Sequence, residues 1–134
     1  MSRSPAKDIA SKLSELNFGT EGTNIFANDI PGHIDNLIAV FDTGGLAPDN
    51  VMGGSSVNPA FENVTIQVRV RNNSNSTAQQ NIYDIFRNLN CLSSTCGSTD
   101  YLLIQAMQSP LLMEKDENER YNYVCNFIAV RRPS

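Results

Sequence analysis

The most regular pattern in the chain lies at residues 62–71. Val64, Ile66, Val68 and Val70 alternate there with Thr65, Gln67, Arg69 and Arg71. Strict period-two alternation predicts a strand with one face on a core and the other toward solvent, in an antiparallel or mixed sheet. A polar turn at 72–77, rich in N-cap residue types, then predicts the start of a helix. Ala78, Ile82, Ile85, Phe86 and Leu89 recur at helical spacing, so a helix over about 77–90 buries that stripe. Near the amino end, Ser4-Pro5 joins an N-cap residue to a proline at the first helical position. Ile9, Leu13 and Leu16 follow at helical spacing and Gly19 stops the run, which predicts a helix over about 5–17. Its apolar stripe is narrow, so it must lie on another element.

The remaining pattern reads as strands. Residues 24–27 form a short one, ended by Ile30-Pro31-Gly32, and 36–42 a buried one bounded by turn signals. A stretch at 43–59 carries four Gly, two Pro and few large apolar residues. It is long for a plain connection, and such loops are functional or mobile. Residues 90–99 read as a loop, and 101–108 as a strand interrupted by Pro110. Residues 111–113 either resume that strand or begin a new piece. A charged tip at 115–119 precedes a long final strand at 121–130, so 101–130 reads as a carboxy-terminal hairpin if the tip is its turn. The order predicts an α+β fold in one domain over 1–134, a single mainly antiparallel β-sheet flanked by two α-helices.

Composition narrows the class. At 134 residues the chain can bury a real core without disulfides or metals. Hydrophobic residues at 40% and charged residues at 18% fit neither wholesale disorder nor a fibre. The longest unbroken apolar run, 37–41, is far short of the roughly 20 residues that cross a bilayer, so no membrane role is expected. No apolar signal core stands at the amino end, which argues against secretion by the usual signal. Three cysteines, Cys91, Cys96 and Cys125, then fit free thiols in a reducing compartment.

The net charge of −4 argues against a general nucleic-acid binder. Its distribution says more. Residues 13–68 hold seven acids and no Lys or Arg, whereas 69–134 hold seven basic residues and six acids. Such polarity suits a subunit whose acidic flank meets a basic flank on a neighbour.

Candidate chemistry is sparse. A zinc site from Cys91, Cys96, Cys125 and His33 would need a spacing that matches no strong ligand pattern. Cys125 reads more simply as a small core residue. His33 follows Pro31-Gly32 in a turn, and no Gly-x-Ser-x-Gly elbow accompanies it. Gly44-Gly45 and Gly53-Gly54 lack the Lys-Ser/Thr and the following helix of a phosphate loop, and Asp42 and Asp49 would repel phosphate. The acids show no recurring paired spacing, although folding can bring carboxylates together. Arg69 and Arg71 are read in two ways, as edge protection on an exposed face or as ion-pairing groups across a subunit contact.

Several segments together resemble a known family. Phe26-Ala27-Asn28-Asp29-Ile30-Pro31-Gly32 is followed by Leu37-Ile38-Ala39-Val40-Phe41-Asp42-Thr43-Gly44-Gly45, then by a segment ending in Pro59. Val64-Thr65-Ile66-Gln67-Val68-Arg69-Val70-Arg71 then leads into a helix beginning at Ala78. This succession resembles the minor capsid and tail-terminator (tail-completion) proteins of long-tailed bacteriophages, most clearly over 26–89. The resemblance implies a structural virion protein without catalysis or cofactors. It implies α+β subunits in a hexameric ring at the head-proximal end of the tail tube, assembled in the host cytoplasm. The ring would stop growth of the tube and offer a docking surface to a head-completion or head-closure protein, and DNA would pass its lumen without specific binding.

On that reading, Arg69 and Arg71 are expected at the subunit interface. Axial contacts are expected from Gly44, Gly45, Asp49, Gly53 and Gly54 in the long loop, and from Lys115, Asp116, Glu117 and Glu119 at the charged tip. Three rival readings stand beside it. They are another phage neck or tail-tube component, a small enzyme whose acids converge only on folding, and a monomeric binding module.

Overall fold

A computed structural model describes residues 4–45, 62–97 and 99–132. In chain order the elements are α1 (Pro5–Glu15), β1 (Ile25–Ala27), β2 (Leu37–Gly45), β3 (Glu62–Asn72), α2 (Asn75–Leu89), β4 (Leu92–Cys96), β5 (Thr99–Ala106), β6 (Leu111–Lys115) and β7 (Tyr121–Arg131). The fold is α+β, with seven strands in one sheet that curls as a half-barrel. The strand order is β1-β2-β3-β7-β5-β4, and β6 pairs with β7 off that path. The sheet is mixed: β1 and β2 are parallel, and every other named pairing is antiparallel.

Local chemistry sets the helix ends. Ser4 caps α1, its Oγ accepting the Lys7 N–H at 3.4 Å. The Asp42 carboxylate on β2 accepts from Ser4 Oγ at 2.6 Å and from the Ala6 N–H at 2.9 Å, which anchors the start of α1 to the sheet. The helix stops at Glu15, before the expected position. Asn17 takes a left-handed φ of 67° and turns the chain there, so Gly19 is not needed as the stop. Ser74 caps α2 in the same manner, through the Thr77 N–H.

The core is one contiguous cluster. Register places Ile38 and Val40 of β2 beside Val70 and Val68 of β3, which face Tyr123 and Cys125 of β7. These side chains are buried together with Ile9 and Leu13 of α1 and Ile82, Ile85 and Leu89 of α2. Both helices therefore cover one face of the sheet, and among the described residues the other face carries no helix. Cys96 and Cys125 are buried, and burial pushes each thiol up to about 11.

Residues 90–99 are not the expected loop. Cys91, at a left-handed φ of 65°, turns the chain out of α2, and its N–H bonds the Ile104 carbonyl at 2.7 Å. β4 then pairs with β5. Past β5, the Met107 N–H bonds the Asn126 carbonyl at 2.8 Å. β6 then takes up the same edge of β7 that β5 leaves: β5 pairs with 127–131 and β6 with 121–124.

Candidate assembly surface

The helix-free face presents two neighbouring rows across the sheet. In one, Ala39, Arg69, Val124 and Leu111 lie opposite one another on β2, β3, β7 and β6. In the next, Phe41, Gln67 and Asn126 are aligned. The Arg69 guanidinium carbon stands 5.4 Å from the Phe41 ring centre, and its Nε donates to Gln67 Oε1 at 2.9 Å. Gln67 Nε2 donates in turn to Asn126 Oδ1 at 3.1 Å. Arg69 is thus held in place and half-exposed.

Arg71 is placed differently from the expectation. It follows Arg69 by two residues and points to the same side, yet it is 5% exposed. Its guanidinium donates to the Pro31 and Ile34 carbonyls, in the connection between β1 and β2 that folds over this end of the sheet. Arg120 grips the same connection, donating to the Gly32 carbonyl at 2.8 Å and lying 3.6 Å from Asp35. A side chain engaged in this way cannot stand on an open face, so the exposed position read for Arg71 is corrected.

The charged tip is a built turn. Asp116 accepts from the N–H groups of Asn118 at 3.0 Å and Arg120 at 2.9 Å, and from Arg120 Nε at 2.9 Å. Desolvation works to raise its carboxyl, but these bonds win and hold it below the usual carboxylate range. Lys115 Nζ lies 5.3 Å from the Tyr121 ring centre. Glu117 and Glu119 are exposed. Gly44 and Gly45 close the opposite end of the β2–β3 pair, beyond a register shift after Asp42, where Gly44 adopts a φ of 97°. Those two glycines and the charged tip stand roughly 27 Å apart along β3, at about 3.4 Å per residue. Asp49, Gly53 and Gly54 lie outside the described residues.

The sequence reading did not single out a group of exposed apolar residues. Met107, Leu111, Leu112 and Met113 are 56%, 47%, 48% and 43% exposed. Every residue of β6 is exposed, and among the described residues its only strand partner is β7. An edge strand with three consecutive exposed apolar residues is a template for another surface. The available signal was the run Leu111-Leu112-Met113 itself, which lacks the alternation of a strand with one buried face.

Among the described residues, no three His, Cys, Asp or Glu side chains are gathered to hold a metal ion. His33 is exposed in a turn, and Cys91 is exposed while the other two thiols are buried. Among the described residues, no helix is long and apolar enough to cross a membrane. A family model described as bacteriophage tail terminator protein matches residues 12–132. No curated protein matches the chain.

Proposed function

The chain belongs to the bacteriophage tail terminator family, and on that premise we propose that its copies join into a ring that ends the tail tube. One rim of the ring matches the last ring of the tube. The other presents a different surface, to which a head-completion or head-closure protein docks. The mechanism is geometric: growth stops because the outer rim no longer offers the shape on which tube subunits stack. The role needs neither a cofactor nor a catalytic group.

The observation that carries this reading is β6, an edge strand exposed throughout and apolar at Leu111, Leu112 and Met113. A free-standing protein gains nothing from such an edge, whereas a subunit buries it against its neighbour. Arg69, in register with Leu111 through Val124, supplies the polar part of the same contact. Gly44 and Gly45 at one end of the sheet, and Lys115, Asp116, Glu117 and Glu119 at the other, suit contacts along the ring axis in opposite directions. The excess of acids over 13–68 suits a lumen that DNA passes without sticking, since cations are what hold its backbone. A six-fold ring in the head-proximal tail is the assembly in this reading.

Negative-stain imaging of the purified protein, alone and mixed with tail tubes, tests it. Rings, or caps on tube ends, are the expected result. Protein that neither self-associates nor caps tubes overturns the proposal.

A further inference from the structure

The two side edges of the sheet are stepped, and the steps match. On one side, β1 covers only Ile38, Ala39 and Val40 of β2, and among the described residues 41–45 has no strand on that side. On the other side, β6 lies beside 121–124 of β7, whereas β5 lies beside 127–131 and carries β4 beyond it. At the height of β6, a line across the sheet meets β1, β2, β3, β7 and β6. At the height of β5, it meets β2, β3, β7, β5 and β4. The sheet is therefore five strands wide at both heights. A second copy set alongside brings its β1 into the recess at β6 and its residues 41–45 against β4 in one movement.

Register carries the match to side chains. Phe26 lies opposite Ala39, so it extends the row of Ala39, Arg69, Val124 and Leu111 at its β1 end. Phe26 is half-buried and Leu111 is exposed. Glu21, bridged to Ile25, stands one rung lower, at the height of Leu112 and two rungs from Lys115. The Ile25 N–H already bonds the Thr20 carbonyl at 3.2 Å, and its carbonyl accepts the Gly22 N–H at 2.8 Å. Side chains, rather than a backbone ladder, are thus what β1 offers. Charge separates the ways of pairing. The exposed charges flanking β1 and β2, namely Glu21, Asp29, Asp35 and Asp42, are all acidic, so two such edges repel, whereas β6 ends on the exposed Lys115. A contact between unlike edges also repeats from copy to copy and can close a ring, while one between like edges ends at a pair.

We propose that the joint between copies is made by unlike sides of the sheet: β6 of one copy seats against β1 of the next, with Leu111 packed on the neighbour's Phe26 and Lys115 facing its Glu21. This rests on the ring reading above and adds to it which surfaces meet.

The test is thiol crosslinking of the full chain, alone and with tail tubes. Cys91→Ser removes the exposed thiol, and the other two cysteines are buried. In that background Phe26→Cys is combined with Leu111→Cys, and separately Glu21→Cys with Leu112→Cys, a pair that replaces only exposed side chains. Within one copy Phe26 and Leu111 are four strand spacings apart, roughly 19 Å along the sheet, and a disulfide needs Cα atoms within about 7 Å. Mild oxidation of either double variant should therefore link copies into a ladder on a denaturing gel, and no single variant should crosslink. Crosslinked pairs from Leu111→Cys alone would show like edges meeting and overturn the proposal. Rings or tube caps that form without a crosslink in either double variant overturn this joint and leave the ring reading standing. Protein that forms neither rings nor caps overturns both.

Discussion

Arg131 is buried at the end of β7 and still carries its charge. Its Nε donates to Glu62 Oε1 at 2.6 Å, and its Nη1 lies 3.3 Å from Asp8 Oδ2 and 3.2 Å from the Tyr101 hydroxyl. Tyr101 donates to the same Asp8 oxygen at 2.9 Å, and its hydroxyl is pushed up, by burial first and by Asp8 second. This cluster ties α1 to β3, β5 and β7. Arg131→Met should therefore cost about 3–5 kcal/mol in urea unfolding, because its bonds to buried Asp8 and to Glu62 are lost together. Adding Asp8→Asn should recover much of that loss, as coupled neighbours do in a double-mutant cycle. The thiols give a second expectation at this scale. Cys96 and Cys125 stand near 11 when folded, against about 8.5 for a free thiol. The raised groups favour the folded state below the unfolded value, and that advantage fades as pH climbs from about 8.5 toward the folded one. Alkaline titration of the melting temperature should show the decline. A thiol reagent applied to native protein should modify Cys91 quickly and the two buried cysteines only on unfolding.

Among the elements, β3 was legible because its alternation is local: Val64, Ile66, Val68 and Val70 all reach the core. α2 was legible for the same reason, through Ile82, Ile85 and Leu89. β4 was not. Leu92-Ser93-Ser94-Thr95-Cys96 has too little apolar content to announce a strand, and only its ladder with β5 makes it one. Arg71 was misjudged by the same local logic. Its side of the sheet follows from periodicity, but its burial depends on residues 31–34, which sequence separation hides. β6 belongs here too. Leu112→Glu should leave monomer stability within about 0.5 kcal/mol, since an exposed side chain is exchanged, and should lower the self-associated mass. Loss of stability without loss of association would remove β6 from the interface.

At the scale of the whole molecule, the family was readable from the succession of segments around 26–89, and the match over 12–132 extends it to most of the chain. The candidate assembly surface was only half readable. Arg69 lies on the open face as its spacing requires, whereas the apolar strip from Met107 to Met113 becomes a surface only when β5 and β6 line up along β7. Arg69→Glu reverses the charge beside Leu111 in the row. It should weaken ring assembly at low salt and less so at high salt, where screening already reduces the attraction. Sedimentation at two ionic strengths checks this, and an equal effect at both would mean that Arg69 acts by packing rather than by charge.

Two successive strands share one edge of β7, and they are not equally secured. β5 sends Tyr101 and Ile104 into the interior, while β6 buries none of its five residues and, among the described residues, is held by a single ladder. The far half of the hairpin can therefore peel away and re-seat while the interior stays closed, a local opening much less costly than global unfolding. Amide exchange should be faster at 111–115 than along the β5 ladder, and slow on assembly. In that case the joint between copies would be a latch that snaps home on its neighbour, with tightness added only where a partner is already present.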